Sequence, residues 1–226
     1  MRGDRKHLII ALDGPAGVGK STVGFLVART LGYQFLNTGE MYRALTWKVL
    51  SKKIQPTEEE AVVRLAHSIR WEFRPVNGRM RIVVDGDLIG SQIRMEKVSK
   101  NSSVVASILG VRLLMRNMQR HIGREGGLVL EGRDITTNVF PNADFKFYLD
   151  ASIEERALRR FRQLRAAGEE ADLLRIREDI LERDLRDFER KINPLRKAPD
   201  AIVIDATHLT RKQVAAKILG HIRARS

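Results

Sequence analysis

The sequence contains no cysteine among its 226 residues, which excludes both disulfide bonds and thiolate chemistry. Histidine is also scarce. The five histidines are spread along the whole length of the chain, at His7, His67, His121, His208 and His221. Zinc ligands occur at close and regular spacing, so this distribution indicates no zinc site.

Long apolar runs are missing as well. No stretch approaches the roughly 18 apolar residues that a membrane-spanning helix needs. Residues 1–7 lead into an apolar run of strand length rather than into a signal-peptide core, and we therefore expect a cytoplasmic protein without membrane contact. Aromatic residues make up only 6% of the chain and are not interleaved with basic ones, which argues against a base-stacking platform for nucleic acid.

Positive charge, in contrast, is abundant. The chain has 41 lysines and arginines against 28 aspartates and glutamates, a formal net charge of +13. Such a molecule attracts anions, and charge alone does not choose among nucleic acid, an anionic membrane surface and a small phosphorylated substrate. The length, with 43% hydrophobic and 31% charged residues, predicts one soluble globular domain.

The strongest local signal is the phosphate-binding pattern G-x-x-x-x-G-K-[ST], formed by Gly14, Pro15, Ala16, Gly17, Val18, Gly19, Lys20 and Ser21. An apolar strand pattern at 8–12 precedes it and a helical pattern follows it, which is the context that the motif requires. The glycines let backbone N–H groups approach phosphate, at the positive end of a helix. Lys20 would bind the terminal phosphates of a nucleotide, and the Ser21 hydroxyl is suited to holding Mg²⁺.

A second polar segment follows the next predicted strand, at 33–36. Thr38 and Arg43 lie in this segment, where a helix begins. A hydroxyl and an arginine at the mouth of a strand suggest a second anionic ligand. On these residues alone, an ordinary helix cap with a surface arginine is the simpler interpretation.

The third segment, Glu131-Gly132-Arg133-Asp134, comes directly after an apolar strand pattern at 128–130. In an open α/β sheet, ligands bind at the carboxyl ends of the strands, so these side chains are site candidates. The alternative is a structural ion pair between Arg133 and a neighbouring carboxylate.

Five strand patterns, at 8–12, 33–36, 128–130, 145–149 and 201–205, alternate mostly with helical ones. This predicts an α/β fold with a five-stranded parallel sheet flanked by helices. The alternating residues 71–84, with an Asn-Gly turn, predict a β-hairpin in an inserted lobe rather than in the sheet. Before this hairpin, we expect a helix that begins with a capping box at Thr57, and after it we expect one long helix at about 96–122.

Four stretches together resemble the bacterial-type cytidylate kinases, which belong to the nucleoside monophosphate kinase group. They are DGPAGVGKST (13–22), NTGEMYR (37–43), EGRDITTNVFP (131–141) and Arg183-Asp184, and they are distributed along nearly the whole length of the chain. The first is common to many kinases, and the third is distinctive of this family. The resemblance implies phosphoryl transfer from ATP to CMP or dCMP with Mg²⁺, in a single P-loop domain with an inserted CMP-binding lobe at 57–95 and a lid at 156–171.

The resemblance also assigns roles to individual residues. It places ATP on 14–21 and Thr22, with Mg²⁺ on Ser21. It places the acceptor phosphate on Arg43 and Arg133, the cytosine on Thr38, Arg112, Asp134 and Arg190, and the sugar on Ser103, Arg183 and Asp187. Lys20, Arg133 and Asp134 are the expected catalytic residues.

The chain departs from the family pattern at two positions. Asn37 stands where the family usually has aspartate, and Thr136 stands where it usually has glycine. The first removes a negative charge near the acceptor phosphate, and the second adds a side chain at a tight turn. We expect neither to touch the phosphate ligands, and we expect activity to survive.

Other functions are compatible with parts of the pattern. Kinases for other small acceptors share the phosphate-binding motif, but the third segment and the hairpin argue against them. An RNA-binding ATPase or an NTP-binding switch would account for the basic charge. We expect a monomeric enzyme that binds ATP and CMP or dCMP and no nucleic acid.

Overall fold

The computed structural model describes residues 7–225. In chain order, the strands and helices are β1 (Ile9–Asp13), α1 (Lys20–Leu31), β2 (Gln34–Asn37), α2 (Thr38–Ser51), α3 (Glu59–Ser68), β3 (Trp71–Val76), β4 (Arg79–Val84), β5 (Asp87–Leu88), α4 (Glu96–Val105), α5 (Leu109–Ile122), β6 (Leu128–Glu131), β7 (Phe145–Asp150), α6 (Ile153–Ala166), α7 (Leu173–Glu189), β8 (Ile202–Asp205) and α8 (Arg211–Arg223). A 3₁₀ turn at Ser91–Arg94 and a π-helical turn at Ile135–Val139 complete the regular structure.

The strands form one mixed sheet in the order β3-β4-β2-β6-β1-β7-β8, with β5 paired to β4. Strands β2, β6, β1, β7 and β8 run parallel, which confirms the predicted five-stranded parallel sheet. The hairpin prediction was correct for β3 and β4 but wrong about their place, because β4 pairs with β2 and extends the sheet. The contact is a single register pair, Phe35 with Arg79, and the Arg79 guanidinium lies 3.6 Å from the centre of the Phe25 ring.

Each face of the parallel sheet supports its own hydrophobic core, because side chains alternate along a strand. Ile10 and Leu12 point to the core shared with α1 and α8. Ala11, between them, points to the core shared with α2, α3 and α5. The sheet is therefore covered on both sides, as the apolar and β-branched strand sequences predict.

Two helix predictions need correction. The expected long helix is broken, because α4 ends at Val105 and α5 begins at Leu109. The connecting turn buries Ile108 and leaves the Ala106 carbonyl to accept a hydrogen bond of 3.0 Å from Arg112 Nη1. The capping box of Thr57 is also absent: α3 begins at Glu59 without a side-chain cap.

The carboxyl ends of β1, β2 and β6 lie side by side, since these three strands are neighbours in the sheet and parallel. The segments that follow them begin at Gly14, Thr38 and Gly132, so one edge of the sheet collects all three polar segments found in the sequence. In the described part of the chain, no helix is long and apolar enough to cross a membrane.

Candidate active site

The phosphate-binding loop connects β1 to α1. Gly14, Gly17 and Gly19 all have positive φ angles, of 146°, 77° and 102°. At Gly14 an added Cβ would lie 2.0 Å from the Leu149 carbonyl oxygen, so only glycine fits this close approach to the neighbouring strand. The loop ends at the N-terminus of α1, where free backbone amides and the positive end of the helix dipole favour anions.

Lys20 is the first residue of α1, and its ammonium group is folded back over the loop. Its Nζ donates to the carbonyl oxygens of Gly14 and Pro15, each at 2.7 Å. Burial, with a smaller contribution from the positive charge of Arg133, lowers the pKa of Lys20 to about 7. A bound polyphosphate would raise the pKa of Lys20 again, because it would supply negative charge next to the ammonium group.

Ser21 faces the ends of β6 and β2. Its hydroxyl donates to Glu131 Oε1 at 2.7 Å, and Asn37 Nδ2 donates to Ser21 Oγ at 3.3 Å. Asn37 thus contacts the residue expected to hold Mg²⁺, and within the described residues it makes no hydrogen bond to Arg43 or Arg133, in line with the expectation. Asn37 also caps α2, since its Oδ1 accepts from the Glu40 amide.

The Ser21 and Glu131 oxygens are compatible with Mg²⁺, which prefers hard oxygen ligands. Within residues 7–225, no cluster of three or more histidine, cysteine or acidic side chains could hold a metal ion. Mg²⁺ in nucleotide sites is commonly bound by one or two protein ligands and by the phosphates themselves, and this arrangement fits that pattern.

Three arginines predicted to contact the acceptor are brought together near Lys20. Burial and the charge of Arg133 lower the pKa of Arg183 to about 10, and Arg43 contributes to the same shift. Burial also lowers the pKa of Arg43, and Arg133 again adds to the effect. Arg133 has a partner, because its Nε donates to Asp187 Oδ2 at 2.7 Å. Within the described residues, the guanidinium groups of Arg43 and Arg183 make no hydrogen bond or ion pair, so their N–H donors are available for a ligand.

The buried carboxylate of Asp134 holds two of the predicted base-contacting arginines. Arg112 Nη2 donates to one oxygen at 2.5 Å, and Arg190 Nη2 donates to the other at 3.1 Å. Arg112 also lies against Tyr42, with its guanidinium 5.9 Å from the ring centre. Asp134 is 5% exposed and Arg112 2%, so these groups are fixed before any ligand arrives.

The remaining predicted residues are less closely joined to this network. The Thr38 hydroxyl donates to the Glu131 carbonyl oxygen at 2.7 Å, which places it at the same sheet edge. Ser103 is half-buried on α4 and makes no side-chain hydrogen bond within the described residues. Thr22 is exposed on the first turn of α1.

A contact that the sequence did not reveal ties α6 and α7 to the phosphate-binding loop. Asp184 Oδ1 accepts from the Ala16 amide at 3.0 Å, and its other oxygen forms an ion pair with Arg156. Arg156 in turn donates to the Ala16 carbonyl oxygen at 3.0 Å. Arg159, also on α6, donates to the carbonyl oxygens of Val18 and Ala206. The available signals were the arginines at helical spacing after Ser152 and the Arg183-Asp184 pair.

Asp13 is the other buried group that sequence reasoning did not place in the site. Its carboxylate accepts hydrogen bonds from the Ile135 and Thr136 amides and from the Thr136 hydroxyl. Burial raises its pKa to about 6, although these three hydrogen bonds oppose the shift. Its position immediately before the phosphate-binding motif was the available signal.

A glycine-rich phosphate loop at the carboxyl edge of a parallel sheet, faced by clustered arginines, defines a P-loop kinase. The family model for cytidylate kinase matches residues 10–224. The cytidylate kinase of Caldicellulosiruptor bescii is 42% identical over 214 residues, which cover 95% of each chain. That of Symbiobacterium thermophilum is 42% identical over 224 residues, which cover 99% of each chain. The chain belongs to the cytidylate kinase family.

Among solved structures, an uncharacterized protein from Eubacterium ventriosum superposes with a TM-score of 0.53 at 13% identity. The match covers 97% of this chain and 99% of that protein. At this level of identity, the likeness concerns the fold alone.

Proposed function

We propose that this chain transfers the γ-phosphoryl group of ATP to CMP or dCMP, giving ADP and CDP or dCDP. The observation that carries the proposal is the cluster of Arg43, Arg133 and Arg183 beside Lys20. Buried like charges raise the free energy of the free protein, and a phosphate group relieves that cost on binding. Membership of the cytidylate kinase family supports cytidylate as the acceptor.

In this proposal the phosphate-binding loop and Thr22 hold the donor. Lys20 binds its terminal phosphates, and Arg43 and Arg133 hold the acceptor phosphate. Planar guanidinium groups suit this task because each can donate two parallel hydrogen bonds to one phosphate. Thr38, Arg112, Asp134 and Arg190 contact the cytosine, and Ser103, Arg183 and Asp187 contact the sugar.

The reaction needs no general base. A phosphate monoester with a second pKa of ~6 already carries a nucleophilic oxyanion at neutral pH. This oxygen forms a bond to the γ-phosphorus as the bond from that phosphorus to the β,γ-bridging oxygen breaks, and ADP leaves. The chain contributes alignment of the two ligands and positive charge around the group in transfer.

Ser21 and Glu131 would hold Mg²⁺, which when bound would neutralise phosphate charge. Residues 57–95 form the CMP-binding lobe in this proposal, and 156–171 form a lid that excludes water. A groove lined by Glu155, Arg159, Arg162 and the segment 207–212 would receive the donor base, since Arg159 also donates to the Val18 carbonyl oxygen of the phosphate-binding loop. We further propose that the enzyme works as a monomer in the cytoplasm, without nucleic acid.

The test is ATP consumption by the purified protein with Mg²⁺, with CMP, dCMP, UMP, AMP and shikimate presented in parallel and with a reaction that lacks acceptor. Turnover confined to CMP and dCMP would support the proposal. ATP consumption that does not depend on the acceptor, or a salt-sensitive RNA complex without CMP turnover, would contradict it.

A further inference from the structure

The carboxylate of Asp13 joins two parts of the site that the proposed mechanism treats separately. Asp13 ends β1 and immediately precedes the phosphate-binding loop, and its side chain is fully buried. Its three donors all come from the segment that follows Asp134: the Ile135 amide at 3.0 Å, the Thr136 amide at 2.7 Å and the Thr136 hydroxyl at 2.6 Å. The phosphate-binding loop, which would hold the donor, and residues 132–136, here called the acceptor segment, are therefore linked through one side chain.

The acceptor segment is also held at its other end by the same strand. The Gly132 amide donates to the carbonyl oxygen of Leu12 at 3.0 Å. Arg133 and Asp134 are thus the two residues between one contact to Leu12 and another to Asp13. Their backbone directions, and through them the positions of the guanidinium and carboxylate groups, depend on both contacts.

We propose that Asp13 and Thr136 form a positioning pair that aligns Arg133 and Asp134 with the phosphate-binding loop. The inference rests on the proposed function, since it concerns the alignment of acceptor with donor. Neither residue contacts the reacting atoms in this proposal. Their effect passes through Arg133, which holds the acceptor phosphate, and Asp134, which holds Arg112 and Arg190.

The Thr136 hydroxyl is the part of this link that depends on the side chain. The two amide donors would remain with almost any residue at position 136, whereas the hydroxyl is supplied by threonine or serine only. The hydroxyl makes the shortest of the three bonds, and Thr136 is 2% exposed, so water cannot readily replace it. Thr136 does not adopt a positive φ angle, so the side chain is accommodated without left-handed backbone strain.

The experiment compares Thr136→Ser with Thr136→Ala. Both variants lose the γ-methyl group, and they differ only in the hydroxyl. We expect Thr136→Ser to keep the KM for CMP within about twofold of the original protein and Thr136→Ala to raise it about fivefold or more, with a lower kcat, because small misalignments of reacting groups are costly. The KM for ATP should change little in either variant.

Thr137→Ala is the matched control. Thr137 is the next residue and is exposed, and its hydroxyl makes no hydrogen bond within the described residues. This variant should behave as the original protein does. A mere loss of folded enzyme would lower the apparent kcat and leave both KM values unchanged, so the KM for CMP separates positioning from instability.

Amide hydrogen exchange of the peptide that contains 133–136 provides a readout that does not require catalysis. We expect faster exchange in Thr136→Ala than in Thr136→Ser. Equal kinetics of the two variants would overturn the positioning role while CMP turnover by the original protein upheld the proposed function. Absence of that turnover would refute the proposed function and the positioning role together. Equal rates of amide exchange in Thr136→Ala and Thr136→Ser would refute the link between Thr136 and Asp13.

Discussion

Replacing Lys20 with methionine should abolish catalysis and at the same time stabilise the free protein. Methionine keeps an unbranched side chain of similar length and removes the charge. The pKa of Lys20 falls from the ordinary 10.5 to about 7 on folding, mainly through burial. At ~1.4 kcal/mol per pKa unit, this shift corresponds to a cost of about 4 to 5 kcal/mol at neutral pH.

The net gain is smaller than this cost. Methionine leaves the Gly14 and Pro15 carbonyl oxygens without the bonds that Lys20 donates, at ~1 kcal/mol or more each. We therefore expect Lys20→Met to raise the free energy of unfolding by about 1 to 3 kcal/mol at pH 7, or the Tm by several degrees in a chain of this length. Urea denaturation without nucleotide or metal, with EDTA present, measures it.

The pH dependence gives a sharper test with a defined sign. Between pH 7 and 10.5 the unfolded chain keeps the Lys20 proton and the folded chain loses it, so the free energy of unfolding rises with pH. The contribution from Lys20 between pH 7 and 9 is about 2 kcal/mol, from ~1.4 kcal/mol per pH unit reduced by the half-protonated folded state at pH 7. Lys20→Met should lack this increment, whereas Lys52→Met, at an exposed lysine, should retain it.

Kinetics complete the experiment. The variant should lose turnover far more than it loses CMP affinity, because Lys20 acts on the donor phosphates. A stability difference between the original protein and Lys20→Met that is the same at pH 7 and pH 9 would refute the assignment of a strained, buried ammonium group. Equal losses of turnover and CMP affinity would refute its role at the donor.

Two further substitutions should separate ligand-binding charge from structural charge. Arg183→Gln removes a guanidinium that has no hydrogen-bonding partner in the described residues and is repelled by Arg133. Thermal unfolding should therefore show no loss of stability, while the KM for CMP should rise about tenfold. A Tm lowered by several degrees would contradict this expectation. Asp134→Asn leaves Arg112 and Arg190 buried without their shared carboxylate, and urea denaturation should show a loss of about 3 to 5 kcal/mol. The same variant should discriminate less well between CMP and UMP in the acceptor panel, and unchanged stability with unchanged selectivity would show that the Asp134 charge has neither role.

The elements that sequence reasoning predicted are those defined by neighbouring residues. The phosphate-binding loop, with its strand and helix, follows from a contiguous motif, and the five parallel strands follow from short apolar runs. Lys20 was found from the same motif, whereas Arg133 and Asp134 were found because they closely follow a buried strand, where ligand sites concentrate. Each of these features needs only about ten residues of sequence to be recognised.

The features that sequence reasoning missed depend on residues far apart in the chain. The break between α4 and α5 contains neither glycine nor proline. It is accompanied by hydrogen bonds from Arg112 to the Ala106 carbonyl oxygen and to Asp134, and the second of these joins residues far apart in the chain. The joining of β4 to β2 rests on one register pair, which no local pattern encodes. Thr136 was expected to disturb a tight turn, but its hydroxyl instead satisfies a buried carboxylate on β1.

The function also depends on residues that are far apart in the chain, and the net charge shows why the sequence alone does not determine it. A formal charge of +13 allows nucleic acid, membrane and small phosphates equally. The structure narrows these possibilities, because Lys20, Arg43 and Arg183 each lie within the electrostatic influence of Arg133. Arg133 is paired with Asp187, whereas the guanidinium groups of Arg43 and Arg183 have no ion-pair partner within the described residues, so two positive charges of this cluster lack a direct counter-charge. A phosphate monoester carries about −1.5 to −2 charges at neutral pH, so it neutralises this excess, whereas a neutral acceptor such as a sugar hydroxyl would leave it in place. The local imbalance, rather than the overall charge, is what favours a phosphate group as the acceptor.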